Sequence, residues 1–430
     1  MVALTIPGSA KVDTSREAPS ETLATRRDIG DNVERLRVAI VHDWLYTVGG
    51  AERVLSAMLR CFPGATVYSL FDVLTEHERD AIGHRVTQTS FLQSMPGIAR
   101  WHRLYFPLMP IAVEQFDLSE YDLVISSSHA VAKGVLTGPD QLHLSYVHSP
   151  MRYAWDLQHQ YLREAGLEKG VRSWITRLFL HRLRMWDSRT AFGVDGWIAN
   201  SHFVARRIQK VYGRKAVVIP PPVRVPSVPP PAQERRHFLT ASRLVAYKNV
   251  LSMVQAFAAL PNEKLVVVGD GPEGGELRQL ASSNIEFRGH APDAELRKLM
   301  REARAFIFAA EEDFGIAPLE AQGEGTPVIA LGRGGVRETI ITTGPAPTGL
   351  FFSRPDPAEI AAAITKFLRA PESYSALQCW RNALRFSEER FISAFADHAR
   401  GEMTSFRERI HLHRLLSHEA GALSGCWERI

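Results

Sequence analysis

Glu312 and Glu320 stand eight positions apart in Glu312-Asp-Phe-Gly-Ile-Ala-Pro-Leu-Glu320, across what reads as the junction of a buried strand and a helix. The preceding Ala305-Phe-Ile-Phe-Ala-Ala310 is a short apolar run of the kind a parallel-sheet core uses, and residues 315–325 read as the following helix with Leu319 on its inner face. This places Glu312 in the loop and Glu320 on the helix. The free N–H groups of Phe314, Gly315 and Ile316 at such a helix start favour an anion, yet a carboxylate flanks them on each side. A bare phosphate would be repelled there. A sugar attached to a phosphate suits the arrangement, because carboxylates accept hydrogen bonds from hydroxyls while the amides take the phosphate charge.

Four further clusters could serve the same chemistry. Gly49 and Gly50 follow an expected first strand and open a helix, so their backbone can approach a pyrophosphate unobstructed; the plainer alternative is a turn that needs positive φ. Ser242-Arg243 and Lys248 bring two positive charges suited to holding a diphosphate and stabilising it as it leaves, or form an ordinary solvated loop. His148 ends a strand in Tyr146-Val-His-Ser-Pro-Met-Arg152, where it can reach a substrate, although a lone histidine is more often structural. Gly334-Gly335-Val-Arg-Glu338 supplies another helix start, or only a turn. Gly269-Asp-Gly271-Pro-Glu-Gly274 also satisfies GxGxxG after a strand, with Glu286 near the position of a ribose-binding acid. Glu273 beside the pyrophosphate site and Pro272 inside the turn argue against NAD(P), which stays open as the alternative of an oxidoreductase. There is no Walker A loop and no Asp-x-Asp, so neither a metal nor another cofactor is expected, and Arg243 and Lys248 must neutralise a leaving group without an ion.

These residues need a scaffold, and the chain supplies one by alternation. Apolar runs at 37–42, 122–126, 143–147 and 196–200, and again at 238–242, 264–269, 284–288, 305–310 and 327–331, are separated by helical stretches that include 51–60, 296–305 and 357–370. That pattern predicts an α/β protein with two doubly wound Rossmann-like domains facing an interdomain cleft. The expected layout is a mobile leader over 1–35, an N-terminal domain over 36–222, a Pro-rich linker over 223–235, a second domain over 236–385, and a crossover helix and tail over 386–430. At 430 residues with 45% hydrophobic composition, two separate cores are the default. A net charge of +4 suits acidic small molecules or an anionic surface rather than a nucleic-acid groove. Cys61, Cys379 and Cys426 are widely spaced without CxxC, which excludes a disulfide framework or zinc site and points to a reducing compartment. With no signal-peptide pattern or membrane span, a cytoplasmic location is expected. Residues 169–186 mix Trp174, Ile175, Leu178, Phe179 and Trp186 with Arg172, Arg177, Arg182 and Arg184. They read either as a basic helix lying on the inner leaflet, helped by Arg100-Trp-His-Arg-Leu-Tyr-Phe106, or as a core-facing helix with a solvated side.

Over residues 37–391 the Gly49-Gly50 loop, Ser242-Arg243 with Lys248, Gly269-Asp-Gly271 and above all the Glu312 to Glu320 spacing resemble the retaining glycosyltransferases of family 4, which have the GT-B fold. The resemblance implies that Glu320 binds the nucleotide ribose, Glu312 lies against the donor sugar, Arg243 and Lys248 hold the diphosphate, and His148 contacts the sugar near its anomeric carbon. It also implies that the amides of Phe314, Gly315 and Ile316 hold sugar and phosphate oxygens, with Gly49, Gly50, Gly269 and Gly271 on the donor side. His148-Ser-Pro-Met-Arg-Tyr-Ala-Trp-Asp156 and the opening His42-Asp-Trp are most similar to bacterial mannosyltransferases that assemble O-antigen or exopolysaccharide. The implied partners are a nucleotide-sugar donor, GDP-mannose, and a lipid-linked saccharide acceptor, with no nucleic acid. A UDP-sugar donor, a GT-B epimerase or phosphorylase, and a non-catalytic nucleotide-sugar sensor are the other readings.

Overall fold

The computed structural model describes residues 36–427 except 84, 85 and 232, with side chains as far as Arg414. The leader expected over 1–35 and the side chains of Cys426 and Trp427 lie outside the described residues. Among the described residues, seven strands form one parallel sheet: β1 (Val38–His42), β2 (Thr66–Ser69), β3 (Thr87–Thr89), β4 (Leu123–Ser128), β5 (Leu142–Val147), β6 (Gly196–Ala199) and β7 (Val217–Val218). Six more form a second: β8 (His237–Ala241), β9 (Leu265–Val268), β10 (Ile285–Gly289), β11 (Ala303–Phe308), β12 (Val328–Leu331) and β13 (Gly349–Phe352). The orders are β3-β2-β1-β4-β5-β6-β7 and β10-β9-β8-β11-β12-β13, so both sheets are doubly wound and reverse direction between β1 and β4 and between β8 and β11. A crevice opens at the C-terminal ends of strands on either side of such a reversal.

Both faces of the second sheet are covered, which is why its inner strands are largely apolar, whereas the edge strand β10, Ile-Glu-Phe-Arg-Gly, alternates. Phe238, Val267, Ile307 and Ile329 point to one face, under the helices Val250–Ala258 and Pro357–Leu368; Leu239, Val266, Phe306 and Val328 point to the other, under Asp293–Arg301 and Ile316–Gly323. The helix expected over 296–305 overruns: the chain leaves the helix at Arg301 and enters β11 at Ala303. Ala303, Ala305 and Phe306 pair with His237, Phe238 and Leu239, so sheet pairing overrides the local helix preference of an Ala-rich stretch.

Three segments tie the two sheets together. Val223 in the Pro-rich connector donates to the Phe386 carbonyl at 2.9 Å and bridges Ser387, while the Trp380 indole donates to the Pro226 carbonyl at 2.8 Å. The helix Glu388–Trp427 then runs back over the first sheet. Phe391 and Phe395 stack 5.4 Å apart and pack edge-on to Tyr146, and Phe395 also meets Phe62. Phe395 is fully buried, which alone stabilises the crossing by about 2–3 kcal/mol. Arg60 at the end of the helix Gly50–Cys61 closes the contact through a 2.8 Å pair with Glu388.

Candidate active site

The loops that follow β8, β9, β11 and β12 build one wall of the crevice. A side chain at Gly269 would overlap the Ser242 carbonyl, and one at Gly271 would overlap Leu244. The Ser242 and Leu244 N–H groups donate to the Val268 and Asp270 carbonyls at 3.0 Å each. The first and second glycines of the GxGxxG match therefore serve the packing of the 242–244 backbone, which leads into Arg243 and Lys248. Arg243 is exposed and, among the described residues, has no ion-pair partner. Lys248 is mostly buried and paired with Glu312. Burial lowers its pKa to about 8, and the charges of Arg152 and Arg243 push the same way.

Glu312 sits in the loop and Glu320 on the helix Ile316–Gly323, as the spacing predicts. Gly315 caps that helix at φ +88°, and a Cβ there would come 2.8 Å from Val336, so only glycine fits. Leu319 is fully buried, as is nearly all of Phe314, whose ring packs 5.7 Å from Phe386. The Phe314 side chain thus anchors the loop to the domain connection and leaves only its amide for a ligand.

The opposing wall comes from β1, β4, β5 and β6. Gly49 has φ −129° and Gly50 is not left-handed either, so the turn explanation for this pair fails. The need is proximity: a Cβ added at Gly50 would sit 2.8 Å from the Ile316 methyl across the crevice. The Gly49 amide donates to Glu52 at 2.8 Å, and Arg53, one turn into the Gly50 helix, pairs with Glu320. His148 follows β5 and lies 2.8 Å from the Ser127 hydroxyl, which in turn lies 3.0 Å from His42 Nδ1. Burial lowers the His148 pKa to about 3, with the charges of His129 and His42 adding to it, so its imidazole is neutral.

Several residues around the crevice were not among the candidate site residues. Asp43 is fully buried and accepts the amides of His129, Ala130, Val131 and Ala132 at 2.6–2.9 Å, and His129 Nδ1 lies 3.0 Å from its Oδ2. Burial alone would raise the Asp43 carboxyl, but His129 and these hydrogen bonds outweigh it and hold it well below the usual range. His129 is raised in turn: burial disfavours its charge, and Asp43 more than compensates. Arg152 and Arg207 both pair with Asp313 across the crevice. Glu338, from the Gly334-Gly335 segment, accepts the amides of His202 and Phe203 at 2.8 Å each, capping the helix His202–Tyr212 of the other wall. The signal for Asp43 was its place in His42-Asp-Trp; nothing local marks Arg207 or Asp313 as partners.

The structure thus brings Glu312, Lys248, Phe314, Gly315, Ile316, Glu320, Gly49 and Gly50 into one crevice, with His148 on the wall facing the loop after β11. Among the described residues there is no cluster of side chains able to hold a metal ion.

The Glycosyltransferase Family 4 model matches residues 48–225, and the Glycosyl transferases group 1 model matches residues 226–379; the two meet within the Pro-rich connector. The chain is 33% identical over 159 residues to the D-inositol 3-phosphate glycosyltransferase of Frankia alni, covering 34% of this chain and 37% of that protein. It is 34% identical over 145 residues to the GDP-mannose-dependent monoacylated alpha-(1-6)-phosphatidylinositol monomannoside mannosyltransferase of Corynebacterium glutamicum, covering 30% of this chain and 37% of that protein. The chain therefore spans little more than a third of the length of these curated relatives. Among solved structures, HepE of Anabaena in complex with UDP superposes with a TM-score of 0.62 at 18% identity, covering 85% of this chain and 99% of that one. The apo lipopolysaccharide outer core galactosyltransferase WaaB superposes with a TM-score of 0.56 at 15% identity, with 85% and 99% covered.

Proposed function

Because the chain belongs to the family 4-like glycosyltransferases of GT-B fold, we propose that it is a retaining hexosyltransferase moving mannose from GDP-mannose to a lipid-linked saccharide. The observation that carries this reading is the placement of Lys248 against Glu312 and of Glu320 on the adjoining helix, around the amides of 314–316. The donor takes over contacts that the free protein makes with itself. Its ribose hydroxyls replace Arg53 at Glu320, and its diphosphate draws Lys248 from Glu312, freeing that carboxylate for the sugar hydroxyls. As the bond to the anomeric carbon breaks, Arg243 and Lys248 absorb the charge of the departing diphosphate. The acceptor hydroxyl attacks from the same face and passes its proton to the leaving phosphate, so no protein base is required. His148, neutral and held by Ser127, offers a hydrogen bond to the sugar. No metal enters this scheme.

GDP-mannose is supported by the Corynebacterium relative and by the 148–156 segment. The lipid-borne acceptor is supported by the helix Gly170–Thr190. Its Ser173, Leu180, Leu183 and Asp187 face inward, while Val171, Trp174, Ile175, Leu178 and Met185 form an exposed stripe at helical spacing, Trp174 being 66% exposed. This stripe faces outward rather than into the core, Arg172 and Arg182 are exposed on the same helix, and Trp101 and Leu104 are exposed as well. An apolar stripe with basic residues beside it suits the surface of an anionic membrane. No described helix is long and apolar enough to cross a membrane. The test is transfer: labelled GDP-mannose and labelled UDP-glucose are each incubated with the protein and a bacterial lipid extract. Label from GDP-mannose must appear in the lipid fraction, with the α-configuration retained by NMR. Transfer only from UDP-glucose would overturn the donor, and an inverted product would overturn the mechanism.

A further inference from the structure

Arg152 and Arg207 belong to the wall built from β5, β6 and their loops, yet the carboxylate that engages both is Asp313, on the other wall. Arg207 is nearly buried, with 11% of its side chain exposed, and Arg152 has 22% exposed. Burial disfavours the Arg152 charge and Arg207 disfavours it further, so the two guanidiniums need an anion between them. Within their own wall the other carboxylates at the cavity are Asp156, half-exposed and paired with Arg207 alone, and Glu164, which accepts from Gln160 and pairs with neither arginine. The Ser149 hydroxyl accepts from Arg207 at 3.0 Å and lies 3.4 Å from Arg152 Nε, fixing both side chains. The turn after β6 holds the arrangement in place: Asn200 donates to the His148 carbonyl at 2.8 Å and Ser201 to the Asp313 carbonyl at 2.6 Å.

This pair of cations borders a cavity of about 300 Å³ lined by Arg152, Arg207 and Arg333 together with Gln160, Tyr161 and Tyr247. Arg333 is exposed and, among the described residues, has no ion-pair partner. The tyrosines and the cavity's carboxylates, Asp156 and Glu164 among them, suit the faces and hydroxyls of a saccharide, and the arginines suit a planar or tetrahedral oxyanion held by two prongs. The cavity lies beside Lys248 and Glu312 on the β12 and β13 side, away from Glu320, Arg53 and the Gly49-Gly50 loop. Three other contacts span the crevice: Arg53 to Glu320, Gly50 beside Ile316, and Glu338 to the His202 helix. If Asp313 is displaced from between them, the two guanidiniums lose the anion they share.

We propose that Arg152 and Arg207, fixed by Ser149, form the anion subsite of the acceptor pocket and take a phosphate or diphosphate carried by the saccharide acceptor, a site that Asp313 fills in the closed, empty protein. The proposal rests on the transferase reading for the word acceptor, but the subsite itself is testable without turnover. The full chain is saturated with GDP, so that Arg243 and Lys248 are occupied, and titrated calorimetrically with inorganic pyrophosphate. Asp313→Asn, which removes the competing charge and keeps the shape, binds pyrophosphate at least about tenfold tighter than the unmodified protein, the effect of one charge-assisted hydrogen bond. Adding Arg207→Gln to that variant abolishes the gain, while the affinity for GDP stays within about twofold. Equal pyrophosphate binding by the unmodified protein and Asp313→Asn overturns the subsite and leaves the arginines as a latch between the walls. Tight binding of glucuronate in place of pyrophosphate overturns the phosphate assignment in favour of a uronic acid. Failure of GDP to bind at all counts against the transferase reading instead; in that case Asp313→Asn is titrated without nucleotide, and an Arg207-dependent gain still supports the subsite.

Discussion

Lys248 gives the clearest quantitative consequence. A lysine brought from its ordinary 10.5 to about 8 is penalised in its charged form by roughly 3 kcal/mol. The cause is burial, with Arg152 and Arg243 adding to it. Because the folded value is lowered, the penalty is full below pH 8 and disappears as pH rises from 8 towards the ordinary value. A nucleoside diphosphate brings negative charge to this spot and restores the charged lysine. Binding above pH 8 must therefore take up a proton, whereas binding at pH 7 need not. The ligand's own phosphate has already titrated by pH 7, so it adds no slope. Glu312, in contact with Lys248, favours the charged lysine in the free protein, so between pH 7 and pH 9.5 the Kd for GDP should weaken by up to about 30-fold, with the change confined to the region above 8. Calorimetry in two buffers of different ionisation enthalpy measures the uptake directly, and it should approach one proton at pH 9.5. Lys248→Met should bind GDP about 10–100-fold more weakly at pH 7 and lose the slope that begins at pH 8, keeping only what the guanine N1–H adds as it titrates at the top of the range. A flat Kd up to pH 9.5 with no proton uptake in the unmodified protein would refute the placement of Lys248 on the diphosphate.

Other perturbations separate the remaining roles. Glu320→Ala should weaken GDP binding by about tenfold or more in calorimetry, whereas Arg243→Ala should lower kcat; full transfer by Arg243→Ala at saturating donor would contradict its role in the departure of the diphosphate. Asp43→Asn turns two acceptor positions towards amides as donors, and two unpaired buried amides cost about 2–6 kcal/mol, read as a fall in Tm. The stability Asp43 contributes is full above its unfolded pKa near 4 and is lost as pH falls through its lower folded value, so the acid-unfolding midpoint should shift upward in the variant. Trp174→Glu with Ile175→Glu should abolish sedimentation with phosphatidylglycerol vesicles and leave GDP affinity unchanged; unaltered sedimentation would remove the membrane role from that helix.

What the sequence disclosed follows the range of the interactions involved. The strand β9 is apolar throughout, and β1 and β11 carry the apolar runs Val38–Val41 and Ala305–Phe308, so all three are legible as buried strands. The strands β2, β3 and β7 are not marked by the sequence: Thr66–Ser69 is interior but only four residues long with alternating burial, and Thr87–Thr89 and Val217–Val218 lie at the two edges of the first sheet, too short for any periodicity. The strand β13, Gly349–Phe352, also went unmarked at the edge of the second sheet. In the crevice, Glu312 and Glu320 were readable because one loop and one helix fix both. The pairing of Arg207 with Asp313 spans 106 residues and that of Asp43 with the amide of His129 spans 86, distances at which only the packed sheets decide what meets. The basic helix could be recognised from its residues, but which side its tryptophan and isoleucine would face depended on Leu180 and Leu183 taking the inward positions.

A nucleotide-sugar seated in the crevice around Lys248, Glu312 and Glu320 must stabilise the folded chain. The most direct test is the Tm of the purified full chain with saturating GDP, UDP, ADP or NAD, since a ligand that binds only the folded state raises it by mass action. GDP should raise the Tm of the unmodified protein, and the rise should vanish in Glu320→Ala. A rise with NAD alone, or with no nucleoside diphosphate at all, would contradict the account.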